Sequence, residues 1–117
     1  MNYTSVERCE KILTMGRKLL CWLEENHITS EQIQDDYVVQ WTVTTPLYNI
    51  GEQTYQLAKE WKEQYPEIPW SQISGVRHRL VHNYEDTNWK IIAEVLLKEL
   101  DIFLMQLEKI LQQSAKR

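Results

Sequence analysis

The chain has 117 residues and a net charge of −4, with 43% apolar and 26% charged residues. That length supports one domain, residues 1–117, whose core needs neither disulfide nor metal. An acidic balance excludes a broad electrostatic grip on nucleic acid, so any such contact must use a local basic patch. Cys9 and Cys21 form no CxxC pair and read as reduced thiols of a cytosolic protein. The start "MNYTSVERCEK" carries charges where a signal peptide needs an apolar run. No stretch approaches the ~20 apolar residues that span a membrane, so a soluble, cytoplasmic protein is expected.

With only three Gly and three Pro, long helices are possible, and periodicity predicts four. The first covers Ser5 to Glu25, where Val6, Cys9, Leu13, Gly16, Leu20 and Leu23 form a stripe with Ile12 and Leu19 beside it. Thr4 and Glu7 have capping-box spacing. Thr29 or Ser30 can cap a short turn. The second helix covers Asp35 to Gln64, with Tyr37, Trp41, Tyr48, Gly51, Tyr55 and Ala58 on one face and Leu47, Ile50, Leu57 and Trp61 on the next. So wide an apolar arc predicts a central position, and Pro46 is expected to kink or split the helix. Pro66 and Pro69 make "YPEIPW" a loop. The third helix is expected from a Ser71 cap to about Tyr84. The fourth runs from an Asn88 cap to Gln112, with Trp89, Ile92, Leu96, Leu100, Phe103, Leu107 and Ile110 at helical spacing. Four amphipathic helices with short connections, plus extra turns, predict an all-α, antiparallel up-and-down bundle.

The stretch "RHRLVHNY", residues 77–84, concentrates cations and histidines in this acidic chain. On a helical wheel Ile73, Val76, Leu80, Val81 and Tyr84 share one arc, and Arg77 falls inside it. His78, Arg79, His82 and Asn83 fall on the opposite side. Arg77 thus turns a charge into a packing face, which demands an acidic partner, a helix end or an anionic ligand. Arg77 and His82 diverge by ~140° and lie ~7.5 Å apart along an ideal helix axis. They converge only if the helix loosens near His82 or two copies meet across a two-fold axis, which points to a site shared between chains.

The spacing Arg77, four residues, His82, one residue, Tyr84 resembles the RX4HXY motif of HepT-like toxins, members of the all-helical HEPN superfamily. The longer run "YPEIPWSQISGVRHRLVHNYEDTNW" resembles that family's characteristic segment, and helix order and spacing are similar over nearly the whole chain. The first two helices are less diagnostic. The resemblance implies a metal-independent endoribonuclease with no cofactor, acting at a composite site in a homodimer cleft. Attack of a ribose 2′-hydroxyl on the adjacent phosphate leaves a cyclic phosphate. Arg77 and His82 would be catalytic: an imidazole with an unperturbed pKa of ~6.5 can move the protons, and a guanidinium fork matches phosphate oxygens. His78, Arg79 and Asn83 would support them. The resemblance also implies an MntA-type nucleotidyltransferase antitoxin that transfers AMP to Tyr84, placing negative charge beside the arginine and closing the cleft to RNA.

Plainer readings stand beside each of these. Arg77 can be a structural arginine held by a carboxylate, His82 a helix-end histidine, Tyr84 a core aromatic, Arg79 a surface charge and Asn83 a helix end. His78 and His82 are four apart with Asp86 one turn on, but no dedicated third ligand is evident, so no metal is expected. Most tryptophans and tyrosines are expected in the core; a stacking platform needs them exposed beside basic residues. The alternative function is a non-catalytic helical subunit of a nucleotidyltransferase complex, which the acidic charge favours and the complete Arg–His–Tyr set disfavours.

Overall fold

A computed structural model describes residues 4–81 and 86–115. Helix α1 spans Ser5–Glu25, bounded at its start by a reciprocal Thr4–Glu7 capping box. Its buried ridge is Cys9, Ile12, Gly16, Leu19 and Leu23, while Val6 is exposed and Leu13 and Leu20 are half-buried. The predicted stripe is therefore turned slightly from the buried one. His27, with φ 51, ends the helix in the left-handed region. Thr29 caps α2, Ser30–Asp35, through a second capping box with Gln32.

Helix α3, Tyr37–Trp61, begins after Asp36, whose Oδ1 accepts from the N–H groups of Val38 (2.9 Å) and Val39 (3.4 Å). It runs unbroken through Pro46, so the expected split does not occur. Proline in a helix interior costs about 3 kcal/mol. Here Val43, Leu47 and Ile50 are fully buried around it, and burial of each such side chain contributes about 1.5–3 kcal/mol.

Helix α4 spans Trp70–Ser74 and α5 spans Val76–Val81, so the expected third helix is interrupted at Gly75. The Asn88 side chain caps α6, Trp89–Glu94, by accepting from Lys90 and Ile91 N–H. A wide turn, Val95–Glu99, joins α6 to α7, Leu100–Ala115; there Leu100 N–H reaches back five residues to the Val95 carbonyl. The expected fourth helix is thus one rod with a π-type turn inside it. Among the described residues there is no strand.

Side-chain pairs fix the directions of the helices. The Ser5 hydroxyl donates to Glu60, and Arg8 donates to Gln53 at 2.6 Å, so α1 and α3 are antiparallel. Leu104 packs on Gly16 while Thr4–Val6 lie beside Gln113, so α1 and α7 are antiparallel too. α4 and α5 run back along α3, and α2 packs on α6. Phe103, Ile12, Ile33, Leu47, Ile50, Ile73, Ile92 and Leu107 fill the space between them. No helix among the described residues is long and apolar enough to cross a membrane.

Candidate active site

The polar stretch singled out from the sequence begins on α5, which is held by contacts at both of its ends. Upstream, Trp70 is buried; its indole N–H donates to the Tyr65 carbonyl at 2.9 Å and its ring meets Phe103 edge-on. Ser71, expected as a cap, lies inside α4, because Pro69 already stands at the cap position with no side-chain bond. At Gly75 a Cβ would lie 2.8 Å from the Ser71 carbonyl oxygen, so the junction between α4 and α5 needs a residue without one. Downstream, the Thr87 hydroxyl donates to the Arg79 carbonyl at 2.8 Å.

Ile73, Val76 and Leu80 are buried, and His78 and Arg79 are exposed, as the wheel predicts. Arg77 does lie on the packing side, its side chain only 21% exposed. The close approach that puts it there depends on Gly51 of α3. A Cβ at Gly51 would be 3.0 Å from Val76 Cγ2, 3.2 Å from Arg77 N and 3.3 Å from Arg77 Cβ.

Arg77 finds two partners on α3. Its Nη1 donates to Glu52 Oε2 at 3.0 Å, and its guanidinium lies over the Tyr55 ring, 3.8 Å from the centre. Burial pushes the Glu52 carboxyl up, but hydrogen bonds from Gln56 and Arg77 and the charges of Arg77 and Lys59 outweigh it, so the carboxyl sits below its ordinary value. Three buried side-chain polar atoms among the described residues have no hydrogen-bond partner: Thr54 Oγ1, Gln106 Oε1 and Arg77 Nε. Only Arg77 Nε belongs to a charged group. A guanidinium offers five N–H donors, and an unpaired buried one costs about 1–3 kcal/mol.

The sequence located Arg77 and placed Tyr55 on an apolar face, but missed Glu52 and Lys59, which share one line with Tyr55 along α3. The available signal was their spacing, three and four residues, on the stripe already marked by Tyr48 and Tyr55. That stripe is not core throughout: Tyr37 and Trp41 are 60% and 62% exposed, and α3 buries Val39, Val43, Leu47, Ile50, Gly51, Thr54 and Leu57 instead. His82, Asn83 and Tyr84 lie outside the described residues, and with them the second histidine of the possible His78–His82 metal pair. Both cysteines are free. Cys9 is buried, and burial, with Glu10 nearby, pushes its thiol up to about 12, so it behaves as an inert apolar group.

The arrangement defines a class: an all-α bundle that presses a partly satisfied arginine between two helices beside an aromatic ring and a carboxylate. Comparison with known proteins is consistent with it. The family described as "Ribonuclease HepT-like" matches residues 4–110, and the chain belongs to that family. A protein of Caldanaerobacter subterraneus subsp. tengcongensis named "Putative RNase" is 36% identical over 73% of this chain and 76% of its own length. One of Methanocaldococcus jannaschii with the same designation is 26% identical over 74% of this chain and 72% of its own. A protein named "Probable ribonuclease HepT", from Thermococcus cleftensis, is 25% identical over 71% and 76%. No solved structure matches the chain.

Proposed function

We propose that the protein is the toxin of a toxin–antitoxin pair, a cytoplasmic, metal-independent endoribonuclease that cuts RNA by attack of a 2′-hydroxyl on its own phosphate. The observation that carries this is the setting of Arg77: brought to α3 by Gly51, laid over the Tyr55 ring, paired with Glu52 through Nη1, and still partly exposed. A guanidinium held in place but not saturated is suited to the extra charge of a pentacoordinate phosphate, where prearranged donors act most strongly. His82 takes the proton from the 2′-oxygen as the O2′–P bond forms. A proton returns to the O5′ leaving group as the P–O5′ bond breaks, leaving a cyclic phosphate. His78, Arg79 and Asn83 support substrate binding. Two copies of the chain form one composite cleft, which resolves the divergence of Arg77 and His82 on one helix.

The partner is a nucleotidyltransferase of the MntA type. It attaches AMP from ATP to the Tyr84 hydroxyl and releases pyrophosphate, setting negative charge beside Arg77. The Glu52–Arg77 ion pair favours a second reading, in which the arginine is structural and the chain is a non-catalytic subunit of a nucleotidyltransferase complex. Cleavage of RNA in EDTA by the unmodified protein decides between them. Cyclic phosphate ends, and loss of cleavage in His82→Ala and Arg77→Ala, support the nuclease. Absence of cleavage, with Arg77→Ala still binding the nucleotidyltransferase, supports the subunit. A mass gain of AMP after incubation with the transferase and ATP, absent in Tyr84→Phe, tests the switch.

A further inference from the structure

Beside Arg77 the surface continues into a second cleft between the C-terminal half of α3 and α4. It has a volume of about 240 Å³ and is lined by Tyr55, Lys59, Lys62, Ser71 and Ser74, with Trp70 beneath. In a chain of net charge −4, this lining carries two lysines and no carboxylate. The two hydroxyls can each donate a hydrogen bond, and the Trp70 indole N–H is already committed to the Tyr65 carbonyl. Lys59 Nζ lies 4.9 Å from the centre of the Tyr55 ring, the same ring over which Arg77 lies at 3.8 Å. The two cations therefore cannot be more than 8.7 Å apart, with one aromatic ring setting their separation.

We infer that this cleft is a second phosphate subsite, in which Lys59, Lys62, Ser71 and Ser74 hold the phosphodiester next to the one that Arg77 faces. The inference rests on the ribonuclease reading for the identity of the strand, and it adds where the neighbouring nucleotide lies. Lysines give charge without a fixed fork and hydroxyls give direction, a combination that binds a phosphate whatever base it carries. The ligand is single-stranded RNA: successive phosphates of one flexible strand can follow the line from Arg77 across Tyr55 to Lys62, whereas a duplex presents its phosphates on a fixed curve.

The test uses the full-length protein and two probes. One is a fluorescent single-stranded oligonucleotide with 2′-O-methyl riboses, which can bind but cannot react. The other is the same sequence as RNA. The double variant Lys59→Gln/Lys62→Gln, and separately Ser74→Ala, are compared with the wild type across a salt series. The expected result is about tenfold weaker binding of the inert strand by the double variant, and a smaller loss for Ser74→Ala. The salt slope should fall by about 0.7, the value of one single-strand phosphate contact. On the cleavable strand KM should rise by more than kcat falls. Unchanged affinity and salt slope, in a protein whose wild type cleaves RNA, overturns the subsite and leaves the ribonuclease reading standing. Loss of binding in the double variant of a protein that cleaves nothing supports the subsite and overturns the ribonuclease reading. Normal RNA binding together with lost binding of the nucleotidyltransferase makes the cleft a protein-docking surface and overturns the inference.

Discussion

Arg17 and Arg77 are both half-buried, both paired with carboxylates, and chemically different in outcome. Arg17 uses its whole fork. Nε and Nη2 donate to Glu108 at 2.9 and 2.7 Å, and Nη1 donates to Asp101 at 2.8 Å. Those hydrogen bonds, Glu108 first, stabilise its charged form, and its role is to fasten α1 to α7. Arg77 has one bond to one carboxylate and a buried Nε with no partner. A guanidinium with all three nitrogens engaged is a fastener; one bonded to a carboxylate through Nη1 alone, with part of its side chain exposed, retains capacity for a further anion. Counting donors used thus separates two arginines that burial alone would not.

Replacing each arginine, and the residues that hold Arg77, breaks or sharpens this contrast. The largest expected effect is that of Arg77→Ala: a fall in RNA cleavage of about 10²–10³-fold, the cost of one prearranged donor to a transition-state oxygen. Initial rates on an RNA oligonucleotide measure it, and near-normal rates would make Arg77 another fastener. Glu52→Gln should lower cleavage by about tenfold, because the guanidinium loses its charged anchor and its position loosens.

Glu52→Gln also carries a pH signature. The carboxyl is held below its ordinary value of 4.5, so its ionised form favours the folded state. The stability it adds is present above pH about 4.5 and is lost as pH falls through the lower folded-state value. Acid-dependent urea melts of wild type and Glu52→Gln should therefore differ at neutral pH and converge below that point. Curves that stay parallel would disconnect the carboxylate from the fold.

Gly51→Ala has a smaller effect and sets two consequences against each other. Alanine in a helix interior gains up to about 1 kcal/mol over glycine, while the new Cβ must displace Val76 and Arg77 by a few tenths of an ångström. Stability should stay within about 1 kcal/mol of wild type while cleavage falls several-fold, read by thermal melts and rates on the same preparation. Arg17→Ala should be the quietest. Its side chain is 40% exposed, so loss of its bonds should cost no more than about 1 kcal/mol in denaturant melts and leave cleavage unchanged. A strong loss of cleavage in Arg17→Ala would undo the distinction between the two arginines.

The legible parts of this molecule are those governed by local rules. The Thr4–Glu7 box gave the start of α1 to the residue, and the wheel placed Arg77 among buried neighbours, because both depend on residues within a few turns. What was missed depends on tertiary choice. Periodicity marks two apolar faces on α3 but does not say which one the rest of the chain will cover, and Tyr37 and Trp41 are on the face left exposed. Glu52 is 25 positions from Arg77, so no local pattern pairs them. Ser71 looked like a cap because of its type, but Pro69 and the buried Trp70 start the helix earlier.

The π-type turn at Val95–Glu99 lets the chain carry one residue more than a plain α-helical turn. A single extra residue in a plain α-helix would rotate everything downstream by about 100°, and the wide turn absorbs it. On either side of it, α6 packs on α2 and α7 on α1. Lys98 in this turn is exposed, and exchanging it for another polar residue alters no packing. Deleting it would remove the extra residue and the wide turn together, and the two changes cancel, so Leu100, Phe103, Leu104 and Leu107 would keep their alignment with α1, where Leu104 packs on Gly16. At one surface position, then, the protein tolerates both a change of letter and the loss of one residue, a slack link in an otherwise regular rod.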